Sequence, residues 1–237
     1  MHKNREALIF RGILFVLSLV IAVTNSELIT PALFYNFWFF RVYHAVWLAI
    51  FIVLIKEMLP QFSSRIDNGK MFAKYYAENK IKPSHRKRKL ATYTRKANMG
   101  AIKSALLWLC IMAAVGAVFG ASHYMGVFGV NVIIAVLLFL IFLDEIWISV
   151  WCPFRNWLIK NKCCNTCRIN DWGFFMLLSP LVFIPSFWTY SLILLALAIA
   201  IQWEYLHWKH PERFFELYNA NLMCKNCKSV RANCIKK

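Results

Sequence analysis

Thirty-two consecutive residues, Trp172 to Trp203, carry no formal charge. As one straight helix they would extend about 48 Å, well beyond a bilayer hydrocarbon core of about 30 Å. Pro180 and Pro185 interrupt the stretch, each removing a helical hydrogen bond, and "IPSFW" reads as a turn. The stretch therefore reads as a hairpin: a short, proline-containing helix over Trp172–Ile184, then a longer one over Trp188–Trp208. The first arm is short for a complete crossing. It suits a thinned or re-entrant segment whose freed backbone groups are satisfied by neighbouring helices.

Four further apolar runs precede it: Ala7–Thr24, Ala32–Ile55, Ser104–Ser122 and Phe128–Trp151. Apolar residues make up 60% of the chain and charged residues 16%, which excludes an ordinary soluble domain. The first run lacks a clear small-x-small cleavage site, so it reads as a retained helix, with Arg11 snorkelling to the interface.

Placement of the basic residues sets the topology. Lys and Arg number 3 in residues 1–11, 13 in 56–103, 4 in 152–171 and 7 in 209–237, whereas the turns 25–31, 123–127 and 185–187 have none. An even number of crossings puts every basic segment on the cytoplasmic side, as the positive-inside rule requires; an odd number leaves one outside. The sequence thus predicts an all-α polytopic bundle of about six spans with both termini cytoplasmic, in a bacterial inner membrane. Its segments are helices one and two (1–57), a basic loop (58–103), helices three and four (104–151), a cysteine-rich loop (152–171), the hairpin (172–209) and a cysteine-rich tail (210–237).

That topology brings two cysteine groups into one aqueous compartment. Cys164 and Cys167 form one C-x-x-C pair and Cys224 and Cys227 another, with Cys152, Cys163 and Cys234 as additional candidate ligands. A reducing cytoplasm disfavours structural disulfides. Two thiolates in each of two tight turns complete a tetrahedral metal set, and the surrounding Lys160, Lys162, Arg168, Lys225 and Lys228 favour thiolates. Zinc and an iron–sulfur cluster both accept four thiolates, and zinc is slightly favoured. "WCPF", at Trp151–Phe154, resembles a stretch of the membrane-bound ferredoxin-type proteins over four residues. Their repeated C-x-x-C-x-x-C-x-x-x-C-P run is absent, so no family follows. Cys110, alone inside the third run, reads as a packing residue.

Interior polar groups are the second set of candidates. Asp144 and Glu145 lie in the fourth run, and Glu204 and His207 form E-x-x-H in the last helix, on one face. They could form a carboxylate–histidine metal or proton site, or pair with Arg155, Arg168, Lys209 or Arg213 to fix the loops, which is the favoured reading. His44 reads as mid-span in the second run, where a hydrogen bond to a neighbouring helix is favoured over haem ligation. Gly116 and Gly120 form G-x-x-x-G, a device for close helix packing within the bundle or in a homodimer.

Residues 70–96 mix aromatic side chains with a dense basic run, Arg86–Lys89. Beside a membrane this reads as a patch for anionic headgroups, with "GKMFAKYYAENKIK" as an interfacial helix before Pro83; nucleic acid is disfavoured as a partner. Quinone, or a redox protein, is a candidate partner if the cysteine centre carries electrons. No nucleotide-binding glycine loop, serine nucleophile motif or H-E-x-x-H is present, which disfavours ATPase and classical hydrolase chemistry. Two functional classes remain: a working metal centre used in electron transfer or metal handling, and a transporter or scaffold whose helix ends are clamped by zinc.

Overall fold

The computed structural model describes residues 9–13, 15–17, 20, 35–37, 40–60, 69–79, 83–124, 130–149, 151, 157, 172–223 and 226. Residues 9–13, 15–17 and 20 are helical. A minimal antiparallel pair follows, β1 (Asn36–Phe37) with β2 (Phe40–Arg41), Asn36 opposite Arg41 and Phe37 opposite Phe40. The principal helices are α1 (Val42–Met58), α2 (Pro83–Tyr124), α3 (Val130–Ser149), α4 (Gly173–Leu178) and α5 (Phe187–Lys209). Apart from β1–β2 and an isolated bridge, the described chain is all-α. Among the described residues, two helical stretches are long and apolar enough to cross a membrane, Leu90–Ala117 and Phe187–Lys209.

Three elements differ from the sequence expectation. The second helix begins at Val42, not Ala32. The aromatic residues before it have high β propensity, and part of that run pairs as β1–β2. The seventeen residues of α1 rise about 25 Å. The third helix is much longer than Ser104–Ser122: α2 is continuous for 42 residues, about 63 Å. Pro83 suits a first helical position, and the Lys-, Arg- and Ala-rich residues after it are good helix formers, so nothing in the sequence stops the helix at the change from basic to apolar. Finally, the interfacial helix expected before Pro83 does not form over the described residues 70–79. Among its described residues only Ala73–Tyr75 make a 3-10 turn, and Met71 and Phe72 are buried.

The hairpin forms as expected. After α4 the chain tightens into a 3-10 segment, Ser179–Phe183, turns at Pro185, and enters α5 one residue before the expected start. Pro180 lacks the N–H that would bond Met176 O. The Ser179 hydroxyl donates to that carbonyl instead, at 2.7 Å, and accepts from Trp108 Nε1 at 3.3 Å. Ser186 caps α5, its Oγ accepting from Trp188 N at 3.3 Å.

α5 is the central element, packed on α1, α4 and the 3-10 segment. α1 and α5 run parallel: Trp47 Nε1 donates to Ser191 Oγ at 2.9 Å near their starts, and Gln202 Nε2 donates to Met58 O at 3.3 Å near their ends. The main core joins Leu54, Leu181, Leu192, Ala196, Ile199 and Trp203; a smaller cluster joins Trp108, Leu140 and Met176 across α2, α3 and α4. Large apolar side chains also cover the outside, including Leu106, Leu109, Leu194 and Ile201. Gly116 provides an intrachain contact: a Cβ there would stand 2.9 Å from the Phe183 ring.

Candidate functional site

The first helix joins the bundle through α3. A Cβ at Gly12 would lie 3.1 Å from the Phe142 ring, and Phe15 packs on Phe139 and Phe142 with ring centres 5.0 and 5.8 Å apart. Those contacts place Arg11 Nη1 2.8 Å from Glu145 Oε2. Glu145 is almost fully buried (side chain 2% exposed), so the pair neutralises a carboxylate that would otherwise be costly in an apolar interior. Arg11 was expected at the interface and Glu145 beside a loop arginine or lysine; the two pair with each other. Asp144, its neighbour, is half-buried.

Glu204 and His207 keep the expected one-turn spacing but have different surroundings. Glu204 Oε1 accepts from Trp172 Nε1 at 2.9 Å, tying the foot of the hairpin's first arm to the last turns of α5. His207 is buried against Phe214 and Phe215, ring centres 4.9 and 5.8 Å away. Among the described residues no three His, Cys, Asp or Glu side chains are grouped to hold a metal ion, so Glu145, Glu204 and His207 do not form the carboxylate–histidine site. His44 is also relocated. It sits in the first turn of α1, where its Nδ1 accepts from Arg41 N at 3.0 Å and its ring stands 4.6 Å from Trp188. The later start of α1 thus moves both Arg41 and His44 from the middle of a helix to its beginning.

At the opposite end, two basic segments fold together into a cap. Asn79 N donates to Tyr218 O (3.0 Å) and Ala220 N to Ala77 O (2.7 Å), flanking the antiparallel bridge between Glu78 and Asn219. Asn219 is fully buried: its Oδ1 accepts from Ala77 N and Asn221 N, both at 3.2 Å, and its Nδ2 donates to Arg213 O at 3.0 Å. Arg213 Nη1 bonds Met71 O and Asn221 Nδ2 bonds Tyr75 O, each at 3.0 Å. Lys70 is buried, its Nζ 5.2 Å from the centre of the Trp203 ring, which withdraws it from any headgroup surface. Asn219→Ala leaves Ala77 N without its acceptor, and the expected loss is about 1–3 kcal/mol. Amide exchange should accelerate at residues 69–79 and 211–223 but not in α3.

No periodicity or motif distinguishes Asn219 or Lys70 in the sequence; a buried asparagine in a basic tail looks like any surface turn residue. The cysteines expected to bind metal, Cys164, Cys167, Cys224 and Cys227, with Cys152, Cys163 and Cys234, lie outside the described residues. Their described flanks share one end of the bundle. Trp172, which follows the first group, bonds Glu204 near the end of α5, and Met223, which precedes the tail pair, belongs to the cap beyond that same end. No protein-family model, curated protein or solved structure gives a match to this chain.

Proposed function

We propose that the chain is a multi-span inner-membrane protein of about six helices, both termini cytoplasmic, that carries a thiolate metal centre at its cytoplasmic end. Cys164, Cys167, Cys224 and Cys227 would be the ligands, zinc slightly ahead of an iron–sulfur cluster. The donor chemistry fits either: two C-x-x-C turns supply four soft thiolates. The observation that carries this reading is the parallel packing of α1 on α5, with the segments that follow both helices joined in one cap. Parallel helices need an odd number of crossings between them in a membrane, which agrees with the basic residues all facing one compartment. The apolar surface of α2 and α5, buried on one side and exposed on the other, supports a lipid environment.

When bound, an iron–sulfur cluster would supply electron transfer, with quinone or a redox protein as partner, whereas zinc would hold the loop and tail together or be handled as cargo. Elemental analysis of anaerobically purified protein tests the site. Wild type should retain metal, and Cys164→Ser and Cys227→Ser should each lose most of it. Visible colour with sulfide favours the electron-carrying reading; colourless protein with one zinc per chain favours a clamp on a transporter or scaffold. Wild-type protein free of metal after anaerobic purification removes the proposal.

A further inference from the structure

We infer that a groove on the cap-side half of α2 is a binding site for one anionic phospholipid, an inference that rests on the membrane reading above. The groove, about 560 Å³, lies between α2 and the turn after α5. Leu90, Ala91, Met99 and Pro211 form its apolar walls, and Thr94, Arg95 and Asn98 are its polar residues. The Thr94 hydroxyl is committed to Leu90 O at 2.9 Å, which leaves Arg95 as the principal donor to a phosphate. Arg95 is exposed, and no ion pair to it is found among the described residues. The nearest acid in sequence to the Pro211 wall, Glu212, stands 3.4 Å from His210.

The groove leads into an apolar track. Ala91, Arg95, Met99, Ile102, Leu106 and Leu109 recur at three- and four-residue steps and so share one face of α2. Met99, Ile102, Leu106 and Leu109 are all more than half exposed. From Met99 to Leu109 the helix rises about 15 Å, the depth of one leaflet's hydrocarbon. A lipid seated with its phosphate at Arg95 would lay an acyl chain along this track. Lys96 stands beside Arg95 at the same height, whereas Lys103 lies about 12 Å further along the axis, level with the apolar track. The Arg86–Lys89 run lies about 9–14 Å along the axis on the other side of Arg95, one to two Debye lengths at physiological salt. Within the headgroup contact expected over residues 70–96, Arg95 is the basic residue that lines the groove.

The test uses the full chain in detergent, titrated with phosphatidylglycerol or phosphatidylcholine and read by native mass spectrometry. Wild type should retain one phosphatidylglycerol in preference to phosphatidylcholine. Arg95→Gln should reduce that preference roughly fivefold, and Ala91→Trp, which fills the groove, should reduce retention of both lipids. Lys56→Gln, on an exposed site of α1, should change neither. Equal retention of the two lipids by wild type overturns the inference, as does wild-type retention in both Arg95→Gln and Ala91→Trp. A chain that leaves the membrane fraction on carbonate washing defeats the membrane reading itself; one that stays there without lipid selectivity defeats only the groove.

Discussion

Arg11→Ala is expected to destabilise the bundle by about 3–5 kcal/mol, because it takes the guanidinium away from the buried Glu145 carboxylate. The pair is asymmetric: Glu145 is 2% exposed and Arg11 29%, so the cost comes mainly from the carboxylate. Three variants separate charge from packing. Glu145→Ala should also destabilise, through the orphaned guanidinium and lost contacts, but less, because Arg11 can reach water. Arg11→Met combined with Glu145→Met should recover much of the loss, since a packed apolar pair often equals or exceeds a buried ion pair. Denaturation of the detergent-solubilised protein, followed by tryptophan fluorescence, gives the double-mutant cycle. Additive single-variant effects would mean that the two side chains are not energetically coupled.

Trp203→Ala should cost a similar amount, about 3–5 kcal/mol. Trp203 is 5% exposed and joins two regions: it belongs to the α1–α5 core, its ring lies 5.6 Å from that of Phe214, and it covers the Lys70 ammonium. Truncation opens a cavity and strips the aromatic face from a buried cation. Exchange protection should fall at residues 69–79 as well as along α5. Trp203→Phe keeps an apolar ring in place and should lose about half as much. If the cap keeps its full protection in Trp203→Ala, the ring does not connect the cap to the α1–α5 core.

The hairpin was legible because its signals are local: an uncharged stretch too long for one span, two prolines, and a turn between them. Its bounds hold to about one residue at α5. The beginning of α1 was not legible, since hydropathy scores "FYNFWFF" the same whether it is helical or paired as a strand. α2 failed for a related reason: hydropathy marks where a helix could enter lipid, whereas helix propensity continues through a basic stretch unchanged. The interior pairs were legible as residues but not as partners. Glu145 stood out as an acid in an apolar run, yet nothing near it in sequence points to Arg11, 134 positions earlier. The cap was wholly hidden, because its hydrogen bonds join segments about 140 residues apart through backbone groups and asparagines.

The distance between those joined segments sets a schedule for biogenesis. Asn219 must be synthesised before Ala77 finds its acceptor, 142 residues after Ala77 itself has been made. At translation speeds of about 5–20 residues per second, Met71, Phe72 and Lys70 wait roughly 7–30 s for the partners that will cover them. During that interval the segment 69–79 is a chaperone client or an aggregation hazard. Ribosomes stalled before residue 211 should therefore display it to protease, and completed chains should not.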